Sequence, residues 1–219
     1  MPTLFTDRRN GHSRAPYESF NLALHVGDDP LVVAQNRDDL KALSAPLQFM
    51  NQVHGDDVVV VNELISEPTA DALITQNPDI ALAVMVADCI PLLLVSDLVI
   101  AAVHVGRRGL VNGIALKTVS KMRELGAIEI RAELGPSICG KCYEVPQDLA
   151  DEVALLHPVA SSMSGIGSPA LDLPRALVAA LDSVDVSSQV SSVCTLENHD
   201  YFSYRRHNIT GRTAGVIWL

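Results

Sequence analysis

The chain has 219 residues, 48% of them hydrophobic, which is enough to bury a substantial core and too apolar for a disordered chain. Only nine residues are aromatic (one Trp, four Tyr, four Phe), so that core is mainly aliphatic. A formal net charge of −10 opposes non-specific attraction to nucleic acid or to an anionic membrane.

Met1–Gly11 carries charged and polar residues where a secretion signal would have its apolar centre, so the chain reads as cytoplasmic, a compartment where disulfides are rare. A helix is predicted over Pro30–Leu43: Asp29 can cap it, Pro30 suits its first turn, and Val33, Leu40 and Leu43 follow one face. Asp57–Val61 reads as a short strand after a turn at His54. Ile80–Val86, Pro91–Val95 and Leu98–His104 are apolar runs with very short breaks, the pattern of central strands buried on both faces. None approaches the roughly 18 residues of a membrane span.

Leu110–Leu125 is the clearest amphipathic helix, with Gly126 as its stop. Ile128–Leu134 reads as a strand, followed by the loop GPSICGKCYEV. Helices are predicted over Pro146–His157 and Leu173–Leu181, the second capped by Asp172, with a Gly/Ser-rich surface loop at Ser161–Ser168 between them. Val190–Cys194 and Gly215–Leu219 close the chain as strands. With no repeat and no convincing linker, residues 1–219 read as one domain of mixed α and β layers.

Three side chains stand at strand ends beside small turn-formers: His54 in NQVHG, Cys89 in VADCIPLLL and His104 in AAVHVGRRG. Imidazole and thiolate are preferred ligands of zinc and copper, and two His with one Cys leave a fourth position open, as a catalytic zinc requires. The same residues permit a second chemistry, with Cys89 as thiolate nucleophile and His104 as its base. Asp88, beside Cys89, suits an acid/base role or the acceptor of a ligand's ring N–H. The arginines of YFSYRR, Arg205 and Arg206, stand among aromatic residues and suit an anionic ligand, since guanidinium pairs with phosphate through two parallel hydrogen bonds. Cys139 and Cys142 have the C-x-x-C spacing of a redox pair or half a zinc knuckle, but without a second such pair they read as incidental thiols; Cys194 reads as core in a strand.

Taken together, SFNLALHVGDD with Asn36–Arg37, NQVHG, ADCIPLLL, AAVHVGRRGL, GPSICGKCYEV, Cys194–Thr195, YFSYRR and TGRTAGVI resemble the YfiH-like family of laccase-domain proteins over nearly the whole chain. The resemblance implies a four-layer α/β/β/α sandwich with mixed sheets, of the α+β class, likened to a toxin deamidase with a Cys–His site. It implies zinc on His54, Cys89 and His104, with copper a second metal the same donors accept. It also implies purine nucleoside phosphorylase activity on adenosine, inosine and methylthioadenosine, giving base and ribose 1-phosphate, together with adenosine deamination. The partners are then a purine nucleoside and phosphate, with Arg37, Arg205 and Arg206 as phosphate ligands and the chain a monomer or homodimer. The rivals are a copper polyphenol oxidase, against which stand only seven His and no His-x-His pair, and a Cys89 hydrolase or amidase of cell-wall precursors. Two positions depart from the family pattern: Arg107 replaces the usual Trp after the second His, and Lys141 precedes Cys142 where a Cys-Cys pair is usual, with Cys139 at a usual Gly.

Overall fold

A computed structural model describes residues 1–41 and 44–219. In the first half, strand β1 (Thr3–Phe5) is followed by helix α1 (Pro30–Lys41), then by β2 (Leu47–Gln48), β3 (Val58–Val60), β4 (Ala72–Thr75), β5 (Ala81–Val86), β6 (Ile90–Val95) and β7 (Ile100–Val105). Helices α2 (Arg107–Asn112) and α3 (Ile114–Glu124) lead to β8 (Arg131–Leu134), α4 (Gln147–Leu156), β9 (Ser161–Met163), β10 (Pro169–Leu171), α5 (Leu173–Asp182), β11 (Ser187–Val190) and β12 (Thr213–Ile217). One sheet has strand order β1-β12-β5-β2, a larger one β11-β8-β6-β7-β4-β3, and both mix parallel with antiparallel pairs.

The two-residue period of the apolar strands assigns their faces. On β5, Leu82, Val84 and Val86 face Leu93, Val95, Ile100 and Ala102 of β6 and β7, so the two sheets pack face to face. The alternate residues Ala81, Ala83 and Met85 turn outward, toward Leu22, Leu40 and Phe49 on the α1 side. The other face of β6 and β7, with Leu92, Leu94, Ala101 and Val103, packs on Ile114, Val119, Met122, Leu177 and Leu181 of α3 and α5. Helix, sheet, sheet, helix is the four-layer α/β/β/α order. Every residue of β5, β6 and β7 is buried because each sheet is covered on both sides.

Asp29 caps α1, its Oδ1 accepting the Leu31 N–H at 2.9 Å; the expected end of that helix at Leu43 lies outside the described residues. Asp172 caps α5 through the Arg175 N–H at 3.0 Å. The single helix expected over Leu110–Leu125 is instead two, because Gly113 takes a left-handed φ of 73° and ends α2. The strand expected from Ile128 begins only at Arg131, which pairs with Val95 where β6 ends; Ile128 has no partner and is 89% exposed. The strand expected over Val190–Cys194 lies earlier, at Ser187–Val190, since its parallel partner β8 stops at Leu134. Ser161–Ser168, expected as a surface loop, begins with β9, which turns through Gly167 (φ 82°) to pair with β10. Among the described residues no helix is long and apolar enough to cross a membrane.

Candidate active site

His104 lies near the C-terminal end of β7 on the same face as Ile100 and Ala102, so its ring enters the layer between the sheets and is only 4% exposed. Asp71, fully buried just before β4, is its neighbour. The Asp71 carbonyl accepts the His104 N–H at 2.8 Å, and His104 Nδ1 lies 2.7 Å from Asp71 Oδ1. The same carboxylate accepts the backbone N–H groups of Val53 (3.2 Å), His54 (3.0 Å) and Gly55 (2.7 Å). These bonds hold the turn in which His54 adopts a left-handed φ of 58°. One acidic side chain therefore sets both histidines.

Cys89 sits in the turn between β5 and β6, after Asp88 at a φ of 86°. Its Sγ lies 3.8 Å from His54 Nε2, and the two imidazole rings meet edge to face with centroids 4.6 Å apart. One ligand atom from each of His54, Cys89 and His104 lies within 4.8 Å of the other two. Gly106 permits this convergence: a Cβ there would stand 2.9 Å from Cys89 Sγ and 3.1 Å from the His54 ring.

Burial opposes a thiolate at Cys89, yet the charge of His104 and hydrogen bonds from both histidines outweigh it and bring the thiol down to about 6. Burial likewise opposes the His104 imidazolium, but the Cys89 thiolate and Asp71 lift it to about 9. Burial would raise Asp71 as well; hydrogen bonds from His104, Gly55 and Val53 keep it below the usual carboxylate range. Such donors fit a soft divalent metal. The carboxylate engages His104 Nδ1 and so leaves Nε2 for the metal, the tautomer-fixing arrangement common to zinc-bound histidines. The Cys–His54 separation of 3.8 Å is close to the sulfur–nitrogen edge of a zinc tetrahedron, roughly 3.6 Å.

The trio opens into a cavity of about 820 Å³. Its polar wall holds His25, Gln52, Tyr143, Tyr204, Arg205 and Arg212, and Met85, Val86 and Ile138 supply apolar surface. Of the three arginines expected to meet phosphate, only Arg205 lines this space. Arg37 is committed elsewhere, to Leu22 O, to Glu67 (2.6 Å) and to the face of Phe49. Arg206 is likewise tied to the carbonyls of Thr195, Leu196 and Tyr201. Arg212, in TGRTAGVI and not among the expected phosphate ligands, lines the cavity instead; burial lowers its pKa.

Asp88 also lines the cavity, but both of its oxygens are engaged, by the Thr195 hydroxyl and by the Arg205 N–H, each at 2.7 Å. The acceptor beside the His104 ring is Asp71 rather than Asp88. Its signal in the sequence was an acid inside the apolar stretch TADALIT, where burial demands a partner. Arg107, at the usual Trp position, begins α2, and its charge partly offsets the burial that raises the Tyr143 pKa. Cys139, Cys142, Cys194 and Glu197 form a second cluster, in which burial holds the Cys142 and Cys194 thiols above their ordinary range.

The family model described as multi-copper polyphenol oxidoreductase laccase matches residues 2–219. A purine nucleoside phosphorylase of Streptomyces coelicolor is 46% identical, over 98% of this chain and 94% of its own. The crystal structure of Neisseria meningitidis protein NMB0706 superposes with a TM-score of 0.91 at 35% identity, over 99% of this chain and 93% of that one. That of the Bacillus licheniformis hypothetical protein YfiH gives 0.90 at 28% identity, over 98% and 91%. With the trio, the layered sandwich and a match over almost its whole length, this chain belongs to the YfiH-like laccase-domain family.

Proposed function

We propose that this chain is a zinc-dependent purine nucleoside phosphorylase acting on adenosine, inosine and methylthioadenosine, with adenosine deamination as a second activity. The observation that carries the reading is a single cavity in which the His54–Cys89–His104 trio faces two arginines and two tyrosines. The activity in the name of the Streptomyces coelicolor relative supports the reaction class.

In phosphorolysis a phosphate oxygen bonds to the anomeric carbon while the glycosidic bond breaks, and its electron pair leaves with the purine, which takes up a proton. Arg205 and Arg212 are the groups to hold the phosphate. Arg205 is set for this by its stacking on Tyr143 (5.0 Å) and by Glu144 O, and Arg212 by the carbonyls of Thr210 and Gly211. Tyr143 and Tyr204 offer ring faces to the base or ribose. Asp88 positions Arg205 by accepting its backbone N–H at 2.7 Å. His54, Cys89 and His104 would hold the zinc. Bound there, zinc would supply the Lewis acidity that eases departure of the purine in phosphorolysis and hydrolytic attack at the amino carbon in deamination.

The family description raises copper oxidation as the rival. Among the described residues only one cluster of potential metal ligands contains histidine, and it holds two, too few for a mononuclear copper together with a trinuclear centre. The test is incubation of metal-quantified protein with adenosine, with and without phosphate, followed by chromatography of the products. Adenine formed only with phosphate, and inosine formed in either buffer, is the expected result. Neither product, together with robust phenol oxidation by copper-loaded protein, would overturn it.

A further inference from the structure

Cys139 and Cys142 read in the sequence as incidental thiols and Cys194 as core, yet the fold gathers all three with Glu197, ligand atoms within 4.8 Å of one another. We propose that these four residues form a second metal site, structural in role, which takes a zinc ion and pins together two loops that wall the cavity. The inference rests on this cluster alone and is independent of the catalytic reading.

The backbone around the cluster has the form of a thiolate knuckle. The N–H groups of Cys142 and Tyr143 both donate to Cys139 O, at 3.0 and 3.1 Å, which folds Cys139-Gly140-Lys141-Cys142 into a turn with both sulfurs on one side. Cys194 Sγ accepts the Cys139 N–H at 3.5 Å, which brings this sulfur against the turn. Cys194 lies in no strand and is 7% exposed, whereas Glu197 stands at the solvent edge and closes the fourth corner.

Three sulfurs and one carboxylate oxygen make a closed tetrahedral set suited to structural zinc, whereas iron–sulfur clusters generally call for four thiolates. A tetrahedron with zinc–sulfur bonds of ~2.3 Å spaces its sulfurs by about 3.8 Å, so the widest pair need close by only about 1 Å. What such an ion would hold is evident from the connections. The loop after β8 carries Ile138 and Tyr143 into the cavity wall, and Thr195, next to Cys194, holds Asp88, which in turn anchors the Arg205 backbone. Besides the Cys139 N–H to Cys194 Sγ contact, the two loops are joined by backbone bonds from Thr195 N–H to Ser137 O (3.1 Å) and from Ser137 N–H to Val193 O (3.4 Å).

The experiment is metal quantification of protein produced with zinc and dialysed against metal-free buffer, for wild type and variants. Two zinc ions per chain are expected in the wild type, one in Cys89→Ala and one in Cys142→Ser. Cobalt substitution gives a second check: the site retained in Cys89→Ala should show about three times the sulfur-to-metal absorption of the site retained in Cys142→Ser, following the count of thiolates. Glu197→Gln, a milder change at the exposed corner, should weaken the second site about tenfold without emptying it. A single zinc that disappears in Cys89→Ala would overturn the proposal. So would an intact mass lower by two hydrogens under non-reducing conditions, the mark of a disulfide within the cluster.

Discussion

Asp71 accepts three backbone N–H groups and the ring of His104 from a position with no solvent contact. Asn in its place would keep the shape but lose the charge, and its amide cannot accept at both oxygens. Asp71→Asn should therefore lower zinc affinity by about 10–100-fold, measured by competition with a chromogenic chelator. Its partner across the site, Cys89, is a thiolate at neutral pH in the metal-free protein, since His104 and His54 bring its pKa down to about 6. Deprotonation lies above that pH. Thiolate absorbance in the far ultraviolet should thus rise through a midpoint near 6 in chelator-treated protein, and this step should vanish in Cys89→Ala. A midpoint at the ordinary thiol value would show that the histidines do not stabilise the charge.

Helices α2 and α3 meet at Gly113, where φ is 73° and nothing lies within 4 Å of the point a side-chain methyl would occupy. Space is therefore free but the conformation is not. Gly113→Ala should cost about 1–2 kcal/mol, read as a Tm lower by roughly 2–8 °C with zinc content unchanged. That break also marks the limit of reading elements from periodicity: the apolar spacing of Leu110–Leu125 continues across a glycine whose handedness the pattern does not encode. Strands β5, β6 and β7 were legible because two-sided burial leaves unbroken apolar runs. Strand β4, just as buried, was missed because Ala72–Thr75 is short and follows an acid. Residue type at strand ends marked the trio as candidates, and the family motifs around them, rather than their spacing, implied that they converge. Asp71 and Arg212 were not legible, because one is defined by what it accepts across the fold and the other by which way a loop turns.

At the scale of the whole molecule, the site lies where the layer between the two sheets opens, so its geometry depends on how the sheets pack. Leu93, fully buried in that layer among Leu82, Val84 and Ala102, is a spacer between them. Leu93→Ala should cost about 2–5 kcal/mol in urea denaturation, whereas an exposed apolar residue such as Ile166 should tolerate the same change. The reading that joins fold, trio and cavity is tested most directly by following inosine and phosphate with wild type and Cys89→Ala by phosphorus NMR. The expected result is a ribose 1-phosphate signal that grows with wild type, with release of hypoxanthine in equal amount, and is absent with Cys89→Ala. No ribose 1-phosphate from zinc-loaded wild type, or an undiminished rate from Cys89→Ala, would contradict it.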